Sequence, residues 1–364
     1  EGDAVDDITA KIEDAVNAVL GSPVDAAADA YQCDLETKWK GLTANGLTVT
    51  IETNGDALGL EYDITTSQAG SATPSIAAAL TAFGNIWNTV VINSYGTVTS
   101  ILDALEEFNG KPSATNPTGR YAATTMKPFI AITGSVAEDP SSITDARKNE
   151  VTIAIAPAPL SAGFAFEAAA NMAVLYARKA QDTPELDVSG EVYPDMPTPT
   201  NIGAMANLTD RDVIVKKGCS TVDLVAGAYK VQDFVTTYHK EGENPPQFRY
   251  VRNLNVDFNV YYQYNIIVEV NVVDHVIAND NDFVDALKVI KPKQFKQLVV
   301  SLVGTLVAKG LLVDAAFTAA NLTVTISTSN PDRFEVFFRY KRSGVARIVS
   351  TTAQAGFNFG TLTV

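Results

Sequence analysis

Residues 218–238 read GCSTVDLVAGAYKVQDFVTTY, two runs rich in β-forming residues that are separated by the small pair Ala226-Gly227. Small residues between such runs are typical of a β-hairpin, because a tight turn needs backbone conformations that bulky side chains resist. Apolar side chains such as Val222 and Val231 recur along the runs, so one face of the hairpin is expected to pack inward. The pattern predicts strands at residues 221–225 and 229–238, and it attaches no function to them.

Apolar strands alternate with helices in the first 180 residues. Gly21 and Pro23 end the first helix, Thr73-Pro74 opens the second, Thr97 caps the third and Gly110 ends it. Continuous apolar strands between helices favour a parallel sheet that helices cover on both faces. The predicted helices are residues 5–20, 73–83, 97–109 and 162–179, and the predicted strands are residues 47–52, 87–93, 128–133 and 151–156.

The second half has a different pattern, α+β rather than alternating. Residues 181–209 contain Pro184, Pro194, Pro197 and Pro199 and few large apolar side chains, which indicates an extended connector. Residues 246–274 fit a long helix by their spacing, although their β-branched content also fits a strand, and the helix is preferred. A helix then begins at Pro292, and strands are predicted at residues 322–327, 333–341 and 345–351.

The predicted fold class is therefore α+β / α/β multidomain: a mainly parallel α/β domain is followed by an α+β domain. The predicted order along the chain is an N-terminal helix and strand of a truncated subdomain (1–41), the α/β domain (42–180), the proline-rich connector (181–207), the α+β domain (208–352) and a C-terminal arm (353–364).

The charge is placed unevenly along the chain. Residues 1–200 hold 27 acidic and 10 basic side chains, whereas residues 201–364 hold 15 and 17, which together give the net charge of −15. The acidic half is expected to avoid nucleic acid and anionic lipid, and the near-neutral half to bury surface against partners, unless the two domains simply differ in composition.

The two cysteines imply no disulfide framework, so a reducing compartment is the default. Residues 298–307 are too short an apolar stretch to cross a bilayer.

Motifs that would indicate catalysis are absent from the sequence. It has no Gly-x-Ser-x-Gly elbow, no phosphate-binding loop and no dinucleotide-binding glycine motif, and its two histidines are His239 and His275. Cys219 with either histidine would make a thiol and base, but a half-buried hairpin cysteine is the preferred interpretation. We therefore predict no catalytic residue, no cofactor and no enzyme activity.

Two loops resemble metal sites only in part. His239 and Glu241 supply two candidate ligands, too few for a site, and are interpreted as solvated turn residues. Residues 279–282 (NDND) resemble part of a calcium-binding loop but lack the glycine and the terminal glutamate of an EF-hand loop. The preferred interpretation is that they cap a helix at residues 283–289. We predict no metal.

Four lysines form the basic cluster of the sequence: Lys288, Lys291, Lys293 and Lys296. They flank the beginning of an apolar helix, where the helix dipole gives no reason for positive charge. Two interpretations stay open, a solvated face and a contact with an acidic partner surface. Nucleic acid is not expected, because interleaved aromatic residues are lacking and the overall charge is negative.

Several motifs together resemble the tail sheath proteins of Mu-like and related contractile phages. The hairpin opening Gly-Cys-Ser-Thr-Val and its closing Val-Thr-Thr-Tyr carry the resemblance, and it extends over essentially the whole chain in a matching order. The other motifs are the N-terminal Glu1-Gly2-Asp3 with the helix after it, Lys38-Trp39-Lys40-Gly41 with Asn45, Thr73-Pro74 with residues 77–80, the strand at residues 87–93, and Asn330-Pro331-Asp332-Arg333.

The resemblance implies a structural protein that polymerises into a helical sheath and contracts, with no nucleotide, metal or cofactor. It implies as partners other copies of the chain, the tail tube, and the baseplate and tail terminator proteins, and it implies neither nucleic-acid binding nor membrane insertion. The implied location is the virion tail, assembled in the host cytoplasm. Proteins of this family begin with an extended arm and further residues, so the chain is expected to be a truncated form.

The resemblance also implies a role for the C-terminal residues. In such sheaths, terminal arms of neighbouring subunits add strands to each other's sheets. Residues 354–364 suit this through alternating side chains, although a strand docked within the same subunit is the alternative. The predicted arm residues are Gln354, Phe357, Asn358, Phe359, Thr361 and Leu362.

Two rival interpretations stay open at this point. An α/β enzyme or ligand-binding protein would show a closed pocket with paired titratable groups. A sheath component of a type VI secretion system would need a second chain to polymerise. The Lys cluster is a possible contact with the tail tube under the preferred interpretation.

Overall fold

The computed structural model describes residues 3–52, 55, 61–113, 115–243 and 246–347. The chain divides into two compact units, and it passes between them more than once. Unit 1 comprises Glu1–Arg178 and Val188–Val251, and unit 2 comprises Lys179–Asp187 and Arg252–Val364. The described residues form one three-stranded sheet and five two-stranded sheets. The fold is therefore mixed α/β with several small sheets, as the sequence predicts in outline.

Unit 1 contains the parallel sheet that the alternating pattern predicts. Three strands pair in the order β3-β4-β5, all parallel, with Val90 opposite Ile130 and Ile132 opposite Ala154. The elements are α1 (Val5–Asn17), β1 (Val24–Asp29), β2 (Gln32–Thr37), α2 (Ala77–Thr81), β3 (Val90–Asn93), α3 (Thr99–Asn109), β4 (Ile130–Ser135), α4 (Ser141–Asp145), β5 (Ile153–Pro157), α5 (Ala165–Asp182), α6 (Leu208–Lys216), β6 (Thr221–Val225) and β7 (Ala228–Asp233).

The central strand β4 is buried along its whole length, as a parallel strand between two neighbours should be. Gly134 in this strand allows α5 to begin very close to the sheet. A Cβ built on it would lie 1.5 Å from the carbonyl oxygen of Ala165. A larger residue at this position would therefore push the helix away from the sheet.

Three local predictions for unit 1 are wrong. Residues 47–52 lie outside any strand, although their alternation favoured one. The residue that precedes α3 is Val98 rather than Thr97, and no side chain caps that helix. The helix predicted to open at Thr73-Pro74 begins at Ala77, after Ile76. Residues 1–41, where one strand is predicted, contain the antiparallel pair β1–β2, whose many alanine and acidic residues give a weak strand signal.

The hairpin β6–β7 and its turn are confirmed, although the second strand ends at Asp233 rather than at Tyr238. Ala226 and Gly227 have φ angles of 51° and 76°. Two consecutive positive φ angles are what a two-residue type I′ hairpin turn requires. The hairpin lies in unit 1, whereas the sequence boundary at residue 208 assigned it to the second domain. The phenol of Tyr229 donates to the carbonyl of Pro159 at 2.8 Å, and the amide of Thr237 donates to Ile153 at 2.9 Å. These bonds connect segments about 70 residues or more apart, which local sequence patterns do not encode.

Unit 2 is built on two long helices, and the helix interpretation of residues 246–274 is confirmed. Its elements are α7 (Val251–Asn271), β8 (Val276–Ile277), β9 (Val289–Ile290), α8 (Pro292–Ala308), β10 (Leu312–Val313), α9 (Ala315–Ala320), β11 (Thr323–Ile326), β12 (Phe334–Phe337) and β13 (Lys341–Arg342). Residues 345–347 lie outside any strand, and the rest of the strand predicted at 345–351 lies outside the described residues.

Aromatic side chains fill the space between the helices and the strands of unit 2. Tyr264 on α7 lies 6.1 Å from Phe295 on α8 and 5.6 Å from Phe338, measured between ring centroids. Phe295 also meets Phe334 of β12 edge to face at 5.5 Å. Such pairs add to the burial of apolar area, so this cluster binds the β11–β12 pair to the two helices.

A buried carboxyl group lies beside the sheet of unit 1. Glu106 of α3 is 6 % exposed, and its oxygens accept hydrogen bonds from the backbone amides of Val151 and Thr152 at 3.3 and 3.1 Å. Burial raises the pKa of Glu106 to about 7, because it disfavours the charged form more than the two amides and Thr152 favour it.

The raised pKa of Glu106 predicts a loss of stability at neutral pH. Its carboxyl binds a proton more tightly in the folded chain, so stability is fully present below pH 4.5 and falls as pH rises through about 7. The loss is on the order of 3 kcal/mol. Thermal unfolding between pH 4 and 8 should show this fall in the native protein and not in Glu106→Gln. Equal pH dependence in the two proteins would contradict the assignment.

Candidate assembly surfaces

The two units, like the two halves of the sequence, differ strongly in net charge. Unit 2 holds 12 basic and 12 acidic side chains, and unit 1 holds the remaining 15 basic and 30 acidic ones. The whole net charge of −15 therefore belongs to unit 1. A neutral unit can approach other copies of itself without the repulsion that a strongly acidic unit would suffer.

A buried carboxylate on α7 anchors the strand segment that follows β12. Asp257, 2 % exposed, accepts hydrogen bonds from the phenol of Tyr340 at 2.8 Å and from the guanidinium of Arg342 at 2.7 and 2.5 Å. Burial alone would lower the pKa of Arg342, but the charge and hydrogen bonds of Asp257 raise it above its ordinary value. These charge-assisted bonds fix the position of the guanidinium on α7.

Further polar bonds continue this anchor toward the end of the described chain. Arg252, also on α7, donates from one guanidinium nitrogen to the carbonyl and from another to the hydroxyl of Ser343. Arg347 pairs with the carboxylate of Asp187, which is itself buried. We call residues 340–347 the anchored segment. It fixes the point from which residues 348–364 continue.

The strand pairs of unit 2 have unpaired edges. Among the described residues, β8 pairs only with β9, β10 only with β13, and β11 only with β12. Two-stranded sheets are marginal by themselves, and an edge strand offers a row of N–H and C=O groups to a further strand. These edges are places where a strand from another chain can add hydrogen bonds.

Of the four cluster lysines, Lys293 and Lys296 lie in the first turns of α8, and Lys288 and Lys291 lie on either side of β9. They are not equivalent. The ammonium of Lys291 donates to the carbonyl of Asp282 at 2.6 Å, so it serves the loop of its own chain. The backbone amide of Lys293 donates to the carboxylate of Asp280 at 2.9 Å. The side chain of Lys293 takes no part in this bond and is exposed to solvent. Lys288 is exposed and Lys296 is half-buried. Three of the four remain available for a partner.

The interpretation of residues 279–282 as a helix cap is wrong. Residues 282–286 form an extended loop, and Phe283 and Leu287 project from this region with exposures of 95 % and 106 %. Asn279 bonds Asp282 at 2.8 Å, and the loop is held by Lys291 rather than by a following helix. The apolar content of the segment suggested a helix, but no core lies under it.

The cysteine and histidines do not converge on a catalytic arrangement. Burial raises the pKa of the Cys219 thiol well above its ordinary value. The ring of His239 is held by the carbonyl of Thr237 at 2.8 Å and by Asp145 at 3.1 Å, and Glu241 pairs with Lys148. Across the described residues no group of three or more His, Cys, Asp or Glu side chains could hold a metal ion.

An open groove of about 380 Å³ lies between the end of α7 and the first turns of α8. His275 is its titratable lining residue, and the ring bonds the carbonyl of Val273 at 2.9 Å. A single imidazole among amide and aliphatic side chains offers neither a general acid–base pair nor an activated nucleophile. The other lining residues are Asn271, Val289, Ile290, Gln294, Gln297, Leu298 and Ser301.

The predicted arm residues Gln354, Phe357, Asn358, Phe359, Thr361 and Leu362 lie outside the described residues, so their role stays a prediction. Within the part that is described, no helix combines the length and apolar character needed to cross a membrane.

Comparison with solved structures finds similarity to tail proteins. The chain is similar to a sheath tail protein from Desulfitobacterium hafniense (TM-score 0.47, 13% identity, 89% of this chain and 74% of that one). It is also similar to one from Listeria innocua (TM-score 0.45, 12% identity, 88% and 73%). A chain of the anti-feeding prophage baseplate gives a TM-score of 0.44 at 11% identity, over 65% of this chain and 62% of that one.

Two of these three are sheath tail proteins, the kind of protein that the sequence motifs resemble. The alignment spans less than two thirds of the baseplate chain. No family model matches the sequence, and no curated protein matches it.

Sequence reasoning missed the anchor formed by Asp257 and Arg342. A signal for half of it was present, because Arg252 and Asp257 interrupt the apolar stretch VRNLNVDFNV at the start of α7. Charged residues among core positions need partners when they are buried. The partner of Asp257 lies 85 residues away, however, and no local pattern identifies it.

Removing the carboxylate of Asp257 should strongly destabilise unit 2. Asp257→Leu leaves Arg342 buried without its counter-charge, which costs about 3–5 kcal/mol in comparable cases. The double variant Asp257→Leu/Arg342→Met, in which neither charge remains, should recover much of that loss. Chemical denaturation measures both, with Arg333→Gln at an exposed ion pair as the matched control. A single variant as stable as the control would show that the anchor contributes little.

Proposed function

We propose that this chain is the structural subunit of a contractile tail sheath, of a phage or of a prophage or tailocin. It polymerises around a tail tube and contracts to drive the tube through the host envelope. The observation that supports this most is the anchored segment, since it carries the chain from the open-edged strands of unit 2 into residues with a strand-like alternation. The sequence motifs that resemble tail sheath proteins support the same function.

Strand exchange between copies is the physical basis of the proposed polymer. Phe357 and Phe359 would occupy one face of an added strand and Leu362 the other. The backbone of this strand would pair with an edge strand of a neighbouring subunit. Backbone ladders supply the strength and alternate side chains set the register. Because residues 340–343 are bonded to α7 and Arg347 to Asp187, tension on the arm would be transmitted to the unit rather than unravelling it.

The division of charge suits this arrangement. Unit 2, with balanced charges, would form the inner lattice, and unit 1, with all the net negative charge, would face solvent. Acidic surfaces on the outside of a polymer resist nonspecific association and repel nucleic acid. The mechanism needs no cofactor and no enzyme activity. Assembly would take place in the host cytoplasm, and baseplate and terminator proteins would bind at the two ends.

The arm can be tested directly. Electron microscopy of the full chain, alone and with a cognate tube protein, should show helical tubes of regular diameter. Deleting residues 354–364 should abolish these tubes while leaving the unfolding transition of unit 1 unchanged. Tubes that persist after this deletion would exclude the arm, and a full chain that never assembles would exclude the sheath function.

The exposed lysines are the proposed contact with the tube. Lys288, Lys293 and Lys296 would meet an acidic tube surface, with Lys291 contributing least because its ammonium is bonded within the loop. Reversing Lys293 and Lys296 to glutamate should weaken co-sedimentation with tube protein and make it less sensitive to added salt, because fewer attractive charges remain to be screened, while thermal unfolding stays the same. The matched control is Lys216→Glu on α6 of unit 1. Co-sedimentation as strong as that of the control would assign the cluster to solvent only.

A further inference from the structure

Helix α7 is apolar on two opposite sides. Tyr264, Ile267 and Val268 pack toward the core of unit 2. Large apolar side chains on the other side are exposed to solvent. We call them the outer stripe, with exposures of 55 %, 41 %, 65 % and 44 % for Tyr262, Ile266, Val270 and Val273.

The outer stripe is continuous. At about 100° per residue, Tyr262, Ile266 and Val270 fall within an arc of roughly 80°, and exposed Glu269 lies about 20° outside it. Val273 lies in the turn that follows α7. A helix that is apolar all round is typical of one covered on both sides. The outer stripe is therefore a surface suited to being covered by another element, and the exposed carboxylate of Glu269 lies beside it.

A second exposed face of unit 2 has the opposite charge. Phe334 and Val336 of β12 point into the core together with Phe338, so the alternate residues form an outer face. On it, Phe337 is 43 % exposed, and the guanidinium of Arg339 lies 5.6 Å from the centre of its ring. Glu335 on the same face is neutralised by Arg333 at 3.0 Å. The outer face of β12 is thus an aromatic patch with a guanidinium upon it.

We propose that the outer stripe of α7 in one copy docks on the outer face of β12 in a second copy. Glu269 then meets Arg339, and the aliphatic side chains of the stripe cover Phe337. Both faces are exposed in the same chain, so they do not cover each other within one copy. This inference rests on the proposed sheath function, which supplies the copies.

The charges select this pairing over the symmetric ones. Packing stripe on stripe would bring two Glu269 carboxylates together, and packing face on face would bring two Arg339 guanidinium groups together, both repulsive. Pairing two different faces joins subunits head to tail, and when its rotation does not close into a ring it builds an open helical filament. This is the geometry that a sheath needs.

A charge swap tests the docking. The variants are Glu269→Arg, Arg339→Glu and the double variant, and Glu107→Arg on the exposed side of α3 in unit 1 is the matched control. Sedimentation and electron microscopy measure the concentration at which the full chain assembles. Each single variant should raise that concentration about tenfold. The double variant should return it to within about threefold of the native value, because the two charges again meet as opposites.

The outcomes separate the docking from the sheath function. Native protein that assembles while both single variants match the Glu107→Arg control would overturn the docking and leave the sheath function in place. Single variants that fail without rescue by the double variant would overturn the pairing of Glu269 with Arg339. Native protein that never assembles would overturn the sheath function and, with it, this inference. Unchanged thermal unfolding of all variants verifies that the effects arise between copies.

Discussion

The ionic bond between Asp257 and Arg342 is the constraint on which unit 2 depends. It joins the first turns of α7 to β13, and Tyr340 and Ser343 extend the same connection with bonds to Asp257 and Arg252. Buried ion pairs add little net stability when compared with well-packed apolar residues, but they impose one arrangement, since every alternative leaves a charge uncompensated. Here the arrangement fixes the path of the chain from β12 to residue 347.

Two consequences of this constraint bear on function. The inner side chains of β12 are held against the helices, where Phe334 meets Phe295, so its alternate residues are forced outward and form a separate surface. The segment after β13 leaves from a fixed point beside open strand edges. Both consequences favour a protein that works by contact between chains. The reactive-looking groups give no comparable support to catalysis, since Cys219 is buried and His239 is engaged by Thr237 and Asp145.

Sequence patterns predicted the elements whose cause is local. The turn at Ala226-Gly227 follows from its own small residues, and α7 and α8 follow from helical spacing over about five turns each. The parallel order of β3, β4 and β5 follows from apolar strands between helices. The failures have a common cause. Residues 283–289 carry apolar side chains without a core beneath them, and residues 47–52 alternate without a partner strand.

The sequence patterns also did not predict the division into units, for a related reason. Residues 179–187 belong to unit 2 although the chain before and after them belongs to unit 1. Glu185 and Pro184 accept hydrogen bonds from Arg252 and Asn255 of α7, about 70 residues away. The proline-rich composition marked this region as a change of domain but gave no sign of a return. The candidate surfaces could not be predicted from local sequence patterns either, because the exposure of Val270 or Phe337 depends on which side chains the fold leaves uncovered.

The central claim is that unit 2 and residues 354–364 form the contacts between copies. Hydrogen–deuterium exchange of the full chain, dilute and after assembly, tests it most directly because backbone pairing slows exchange. The account predicts new protection in β11, β12 and residues 354–362, with the exchange of β3, β4 and β5 unchanged. Protection confined to unit 1, or none in any part of unit 2, would contradict it.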